Sequence, residues 1–178
     1  MTAASRAAAG LMLAAVLLLC SFAFAAPAHA SLCRGADNRA GSPSTRIAAV
    51  RCLVSRARAT AGRRTLRVEA SLARSAAAKA ASIDRCGRFT HTPCGSAMSV
   101  PMRKSGYARG CYTVGENLEW ITLGATPRQI VRAWLDSPAH RANLLSARYR
   151  DTGVARRVVS LRGTGRVELW VQHFGKRC

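Results

Sequence analysis

The sequence predicts an α+β fold in which helices come first and a mostly antiparallel sheet follows. Apolar residues recur at helical spacing between about residues 45 and 85. Near the C-terminus two strand-like segments, Val154 to Leu161 and Arg166 to Phe174, flank the turn sequence Arg162-Gly163-Thr164-Gly165, a pattern typical of a β-hairpin. No internal repeat interrupts this order.

Residues 1–30 are predicted to be a signal peptide, cleaved after Ala30. Arg6 is the only charge before the run Leu11 to Phe24, which is apolar except for Ser21, and Ala28-His29-Ala30 has the small residues of a cleavage site. As an uncleaved anchor the run is short, since a span needs roughly 20 residues. Cys20 follows three leucines rather than the small residue that lipoprotein processing prefers. We therefore expect a secreted protein without a transmembrane segment in its mature form.

Removal of 30 of the 178 residues leaves 148, a size suited to one domain and to a monomer. The expected divisions are a signal peptide at 1–30, a polar tail or linker at 31–45, a domain at 46–175 and a short tail at 176–178 that ends in Cys178. The domain is expected to open with a helix capped by Ser44 or Thr45 and closed by Gly62.

A second helix is predicted from about Glu69 to Arg85, and Gly87 ends it. Its apolar stripe is rich in alanine, which allows a neighbouring element to approach closely; the stripe consists of Leu72, Ala76, Ala80 and Ile83. Further on, Thr126-Pro127-Arg128-Gln129 has the form of a capping box with proline at the first helical position. Ser137-Pro138 is predicted to cap and begin a further short helix.

The mature chain keeps six cysteines, and an even number in an exported chain indicates three disulfides. They are Cys33, Cys52, Cys86, Cys94, Cys111 and Cys178. Six cysteines allow 15 pairings; Cys33 with Cys52 would tie the tail to the first helix. Cys86 and Cys94 bracket His91, so at least one bridge is expected to stiffen the loop around it. The absence of a Cys-x-x-Cys pair argues against a structural zinc site.

The composition is strongly basic, with 28 Lys and Arg against 8 Asp and Glu, and loss of Arg6 leaves a net charge of +19. A GC-rich genome explains an excess of arginine without any binding function. The functional alternative is nonspecific attraction to polyanions of the cell envelope. No zinc finger, helix-turn-helix or aromatic-interleaved basic motif supports specific recognition of nucleic acid.

Two histidines and a glutamate form the candidate site, because such residues are scarce in this chain. His91 lies in Phe89-Thr90-His91, Glu116 in Gly115-Glu116-Asn117, and His140 in Ser137-Pro138-Ala139-His140. Each has a structural alternative: a surface histidine, a carboxylate capping a short helix from Asn117 to Ile121, and a packing histidine. The three motifs together favour a built site.

These motifs, followed by Arg141-Ala142-Asn143-Leu144, Gly153-Val154-Ala155 and Trp170-Val171-Gln172-His173-Phe174-Gly175, resemble the CAP superfamily. That superfamily includes cysteine-rich secretory proteins, antigen 5 and plant pathogenesis-related proteins, and the Ser-Pro-x-His-Arg-x-Asn form resembles its bacterial secreted branch. The resemblance covers about residues 46 to 175. It implies an α-β-α sandwich, with a central antiparallel sheet flanked by helices, and a cleft where two histidines and two acidic residues converge.

His91, Glu116 and His140 match three of those four positions. The fourth, a glutamate in the eukaryotic branch, falls on Ser137 here, with Asp136 adjacent. Asp136 can substitute only if the helix turns it inward. Asn117, Ser137, Asp136 and Gln172 are predicted as binding positions around the cleft.

Three functions remain open for this cleft. Two neutral imidazoles, His91 and His140, can bind zinc or another divalent metal, with Glu116 as third ligand or as general base on bound water. His and Glu can also activate water without a metal, as in a hydrolase of peptides or cell-wall polymers. The resemblance implies a ligand-binding module more than a member of one enzyme class. We therefore expect this cleft to bind an unknown small ligand or a component of the cell envelope.

Overall fold

The computed structural model describes residues 33–178. The predicted signal peptide lies outside the described residues. Within residues 33–178, no helix combines the length and the apolar character needed to cross a bilayer. The three predicted disulfides are present as Cys33–Cys52, Cys86–Cys94 and Cys111–Cys178.

The first half of the described chain is mainly helical. Helix α1 spans Pro43–Thr60 and α2 spans Ala70–Cys86, separated by the two-residue strand β1, Arg67–Val68. A 3₁₀ turn, Pro93–Gly95, and the short helix α3, Ser99–Lys104, follow α2.

The second half alternates strands and helices. Strand β2 spans Tyr112–Ile121, α4 spans Pro127–Asp136, and α5 spans Pro138–Leu144. Strands β3, Asp151–Leu161, and β4, Gly165–Arg177, form the predicted hairpin and extend beyond its expected bounds. Strand β4 therefore reaches into the segment 176–178 that is expected from the sequence to be a tail.

The helix-start predictions have mixed outcomes. The cap of α1 is Ser42, whose side chain accepts a hydrogen bond from the Thr45 backbone N–H, so the prediction of Ser44 or Thr45 is wrong by two to three residues. Pro43 at the first helical position explains the earlier start. The capping box at Thr126 and Gln129 is confirmed. Ser137 occupies the cap position of α5, but its side chain makes no capping hydrogen bond.

The sheet has the strand order β1-β3-β4-β2, and β1 pairs parallel while the other neighbours pair antiparallel. Alternate residues of β4 point to opposite faces. On one face Val167, Leu169 and Val171 pack with α2. On the other face Trp170 and Phe174 join the apolar cluster that includes residues of α1, α4 and α5. The predicted α-β-α sandwich is confirmed.

A close contact between α2 and β3 determines how near the helix lies to the sheet. A Cβ added at Gly153 would lie 2.1 Å from the Ala73 backbone nitrogen and 2.2 Å from the Leu72 carbonyl carbon. Only glycine fits this approach. The predicted stripe of Leu72, Ala76, Ala80 and Ile83 is fully buried against the sheet. Polar side chains on α2 are thereby brought within hydrogen-bonding distance of the strands.

The expectation that Glu116 caps a short helix from Asn117 to Ile121 is wrong, because these residues lie in β2. The whole of β2 pairs with β4, with Glu116 opposite His173 and Asn117 opposite Gln172. Gly115 serves packing rather than a turn: a Cβ there would lie 2.2 Å from the Tyr149 hydroxyl. The Gly-Glu-Asn motif therefore presents its glutamate and asparagine on opposite faces of an edge strand.

Candidate functional site

The site is centred on the Glu116 carboxylate, which is buried on the α2 face of the sheet. Oε1 accepts a hydrogen bond from His91 Nδ1 at 2.7 Å, and Oε2 accepts one from His173 Nε2 at 2.8 Å. Lys79 Nζ lies 3.4 Å from Oε2. Burial by itself raises the pKa of Glu116, but the hydrogen bonds from His173 and His91 hold it below its usual value. Glu116 is therefore an anion whose two oxygens are already engaged.

His91 is the exposed member of this group. Its side chain is 56% exposed, and it lies in the loop that the Cys86–Cys94 disulfide closes. Donation from Nδ1 to a carboxylate fixes the tautomer, so Nε2 carries the free lone pair of the neutral ring. Lys79 Nζ also donates to the His91 carbonyl oxygen. The backbone and the ring of His91 are thus both held in place.

His173 is the buried member and has no exposure to solvent. Burial lowers its pKa, although Glu116 opposes the shift, so the ring is neutral near pH 7. Lys79 supplies the positive charge that balances Glu116. Ser75 Oγ lies 2.7 Å from His173 Nδ1 and 2.8 Å from the Leu72 carbonyl oxygen. The Ser75 hydroxyl has one proton for these two acceptors: when a neutral His173 donates from Nε2 to Glu116, Nδ1 accepts that proton in place of the Leu72 carbonyl.

Lys79 is 1% exposed. Burial lowers its pKa, and the neighbouring Glu116 carboxylate only partly opposes this shift. Lys79, Ser75 and His173 are members of the site that the sequence did not predict. A signal for two of them is present: Ser75 and Lys79 share the helical spacing of the apolar stripe, where a polar residue must find a buried partner. His173 is visible in the sequence only as part of the Trp170–Gly175 motif, because its pairing with Glu116 depends on a strand register across 57 residues.

His140 approaches the site from the other face of the edge strand. Asn117 Nδ2 donates to the His140 carbonyl oxygen at 3.0 Å, which fixes α5 against β2. Asn143 Nδ2 supports the same junction by donating to the Glu116 carbonyl and to Asn117 Oδ1, each at 3.1 Å. The predicted binding residue Asn117 is therefore fully buried and positions α5.

The His140 imidazole has a free ring nitrogen. Nδ1 is buried and has no hydrogen-bond partner among residues 33–178. Burial lowers the pKa of His140, and the nearby His91 lowers it further. With its pKa lowered, His140 is neutral near pH 7.

Among residues 33–178, the other predicted binding residues form no hydrogen bond or ion pair with the Glu116 carboxylate. The Asp136 side chain is 69% exposed and lies 3.6 Å from Arg132, so helix α4 turns it outward. Ser137 is half-buried at the junction of α4 and α5. Gln172 lies on the opposite face from Glu116, donates to Thr152 Oγ1 at 3.1 Å, and has an unpartnered Oε1. It lines a separate cavity of about 270 Å³ beside Arg51.

The residues present offer a metal ion two imidazoles. Within the described chain, no three His, Cys, Asp or Glu side chains are grouped as metal ligands. The unpartnered Nδ1 of His140 and the free Nε2 of His91 are the two nitrogens that would hold a metal such as zinc, with water or a bound ligand completing its coordination. Glu116 orients His91 in this arrangement, as carboxylates commonly do for metal-binding histidines.

Fold and site together define a class of protein: an α-β-α sandwich domain with imidazoles arranged around one buried carboxylate at an edge strand. The sequence profile described as the cysteine-rich secretory protein family, CAP, matches residues 52–174. The chain belongs to this family.

A curated relative and several solved structures are similar to the chain. The Bacillus subtilis (strain 168) protein named uncharacterized protein YkwD is 31% identical over 117 residues, which cover 64% of this chain and 40% of the relative. The chain thus spans less than half the length of that relative. An outer surface protein from Borrelia burgdorferi has a TM-score of 0.60 at 22% identity, covering 72% of this chain and 90% of its own.

An extracellular protein containing an SCP domain from Bacillus anthracis str. Ames has a TM-score of 0.59 at 17% identity, covering 75% of this chain and 43% of its own. A cysteine-rich secretory protein from Staphylococcus aureus has the same TM-score at 15% identity, covering 78% of this chain and 40% of its own. At these identities the solved structures show the shared fold.

Proposed function

We propose that this chain is a secreted protein that binds a small ligand or a divalent metal ion at His91 and His140, at or outside the cell envelope. The observation that supports the proposal is the way in which the Glu116 carboxylate is hydrogen-bonded. Both of its oxygens are engaged by His91 and His173, so the carboxylate orients the exposed His91 ring, while His140 carries an unpartnered ring nitrogen. Two imidazoles with available ring nitrogens suit a metal such as zinc.

Titration calorimetry with zinc tests the metal-binding part of this proposal. The wild type is expected to bind, and His91→Ala and His140→Ala are each expected to weaken binding at least tenfold. Asp136→Asn is the matched control, because it removes an exposed carboxylate that the structure turns away from Glu116. Equal zinc binding by the wild type and both histidine variants would overturn the metal site.

Secretion is supported by three disulfides, which persist in oxidising compartments, and by the predicted signal peptide. The names of the similar structures, which include an outer surface protein and an extracellular protein, point the same way. N-terminal sequencing of the protein recovered from the culture medium should give Ser31 as the first residue. Retention of the full-length chain in the cell would count against secretion.

A hydrolase is the second candidate, favoured by one specific observation. The hydrogen bond from His91 Nδ1 to a buried carboxylate is the arrangement that holds a histidine ready to act as a general base. Wild type and His91→Gln would be incubated with cell-wall material and with a peptide library. Products formed only by the wild type would establish hydrolysis. Identical product profiles from the two proteins would argue against hydrolysis and leave ligand binding as the proposed function.

A further inference from the structure

Next to the His91 loop lies a surface that the proposed site does not use. It is formed by Arg88, Phe89, Trp120 and Arg162, and we refer to it as the Arg88–Arg162 surface. Two adjoining cavities, of about 350 and 560 Å³, share both arginines. These volumes are within the range of small-ligand sites. The first cavity is lined by the two aromatic residues, and the second by Thr90 and Thr92, which flank His91.

The positive charge of this surface favours an anionic partner. Within the described part of the chain, neither the Arg88 nor the Arg162 guanidinium forms a hydrogen bond or ion pair, and no Asp or Glu lines either cavity. The acidic residue at the end of α2, Asp84, is bound to Arg157 at 2.8 Å. Two neighbouring guanidinium groups without a counter-ion favour a carboxylate, which arginine binds through a pair of parallel hydrogen bonds.

The aromatic side chains add flat apolar faces to these charges. Phe89 is 40% exposed and Trp120 is 37% exposed, and they are two of the four large apolar side chains exposed in residues 33–178. Exposed aromatic rings beside arginines are typical of binding surfaces rather than of a solvated exterior. A ligand with flat, weakly polar faces between its charges would fit them.

The surface is also held in a fixed shape. Gly87 adopts a φ of 62°, which glycine permits, and its carbonyl oxygen accepts a hydrogen bond from the Arg162 N–H at 3.1 Å. The Arg162 side chain packs directly over Gly87, where an added Cβ would lie 3.2 Å from Arg162 Cγ. The Cys86–Cys94 disulfide closes the other side of the loop. Binding would therefore require little ordering of the backbone.

We propose that the Arg88–Arg162 surface binds an acidic polysaccharide. The carboxylates of the polysaccharide would bind Arg88 and Arg162, and its sugar rings would stack on Phe89 and Trp120. The hydroxyls of Thr90 and Thr92 would form hydrogen bonds with the sugar hydroxyls. Because Thr90 and Thr92 flank His91, the bound polymer would extend past the proposed site. The inference rests on the proposed secretion, which places the protein among cell-surface polymers. Because a secreted protein meets glycans at the cell surface, a glycan is favoured over single-stranded nucleic acid, which such surfaces also bind.

Binding of oligogalacturonate, an acidic glycan, tests this proposal when measured by calorimetry in low salt. The double variant Arg88→Gln/Arg162→Gln is expected to weaken binding at least tenfold, and Trp120→Leu at least threefold. The control Arg34→Gln/Arg63→Gln removes the same two charges from exposed positions elsewhere and should change affinity less than twofold. A neutral glucan of equal length should bind at least tenfold more weakly than oligogalacturonate.

Equal losses in the two double variants would overturn the proposal, because binding would then follow net charge alone. Tighter binding of a single-stranded oligonucleotide, with the same sensitivity to Arg88 and Arg162, would replace the glycan with nucleic acid. The zinc titration separates this result from the function proposed above, since Arg88→Gln/Arg162→Gln should keep wild-type zinc affinity. Failure of the metal site would then be seen without any loss of glycan binding.

Discussion

At the scale of single residues, one buried carboxylate links the stability of the protein to the geometry of the site. Glu116 is contacted by an exposed histidine, a buried histidine and a buried lysine. A buried anion is costly unless it is paired and hydrogen-bonded. Removing its charge would leave the Lys79 ammonium buried without a counter-ion and release the ring of His91. Stability and site geometry therefore depend on the same side chain.

Glu116→Gln is expected to lower the free energy of unfolding by roughly 3–5 kcal/mol, the range seen when one partner of a buried ion pair is removed. Urea unfolding measures this change. Asp136→Asn, at an exposed carboxylate near Arg132, should change the same quantity by less than about 0.5 kcal/mol. A loss below about 1 kcal/mol in Glu116→Gln would contradict the central role of this carboxylate.

The buried His173 predicts a pH dependence of stability. Its folded pKa is lowered from 6.5 by burial, with Glu116, Lys79 and Ser75 around it. Below pH 6.5 the unfolded chain binds a proton that the folded ring does not, so the free energy of unfolding falls as pH drops through that range. Urea unfolding at about pH 7.5, 6.5 and 5.5 should show the decline.

His173→Gln should make this decline shallower between about pH 6.5 and 5.5, because one group that takes up a proton on unfolding has been removed. His140, whose pKa is also lowered, should account for part of the remaining slope. An unchanged slope in His173→Gln would show that the ring takes up its proton over the same pH range in the folded and unfolded chains, which would contradict its lowered pKa.

At the scale of elements, the site depends on how α2 and the His91 loop are held together. Gly153 lets α2 lie directly on β3, which brings Ser75 and Lys79 to the strands. The Cys86–Cys94 disulfide joins the last residue of α2 to the far side of the loop that presents His91. The loop has few buried side chains, so the bridge limits its freedom more than packing does.

Replacing Cys86 and Cys94 together by serine is expected to cost about 2–3 kcal/mol of unfolding free energy, from the closure entropy of a short loop. It should also weaken zinc binding, since His91 would lose its fixed position. The matched control replaces Cys33 and Cys52 by serine. This bridge closes a longer segment, with a separation of 19 residues against 8. Removing this bridge should lower the unfolding free energy by a similar amount and leave zinc affinity unchanged. Equal zinc affinity in both double variants would show that the Cys86–Cys94 bridge does not position His91 for binding.

At the scale of the whole molecule, a strongly basic chain uses one buried acid to join its layers. Glu168 accepts hydrogen bonds from Arg46 of α1 and from Arg156 of β3, and the Gly124 N–H before α4 also donates to it. Although burial raises the pKa of Glu168, the hydrogen bonds from Arg156 and Arg46 lower it to about 2. The carboxylate therefore remains charged down to strongly acidic pH and connects helix, hairpin and loop.

Glu168→Gln is expected to cost roughly 3–5 kcal/mol of unfolding free energy, because the buried guanidinium of Arg46 would lose its counter-ion. Thermal and urea unfolding both measure this. Asp37→Asn is the control, since its pair with Arg128 is exposed on both sides and should contribute little to stability. A similar small change in both variants would show that the buried network does not carry stability.

Much of the fold follows from local patterns that the sequence displays. The apolar stripe of α2, the capping box of α4 and the hairpin depend on spacing within a few residues, and each is predicted correctly. The structural alternative of a short helix from Asn117 to Ile121, directly after Gly115 and Glu116, is wrong, because all of these residues lie in strand β2. That glycine instead accommodates the Tyr149 hydroxyl, a contact between segments 34 residues apart.

The sequence by itself determined the fold class, the formation of three disulfides and the three motifs that contain His91, Glu116 and His140, but not which cysteines pair. The tertiary structure decided what those residues do. Strand register set His173 beside Glu116, the close approach of α2 added Lys79, and the outward turn of α4 removed Asp136. The physical reason is that a buried carboxylate must be satisfied by whatever donors the packing brings to it, and those donors come from distant parts of the chain.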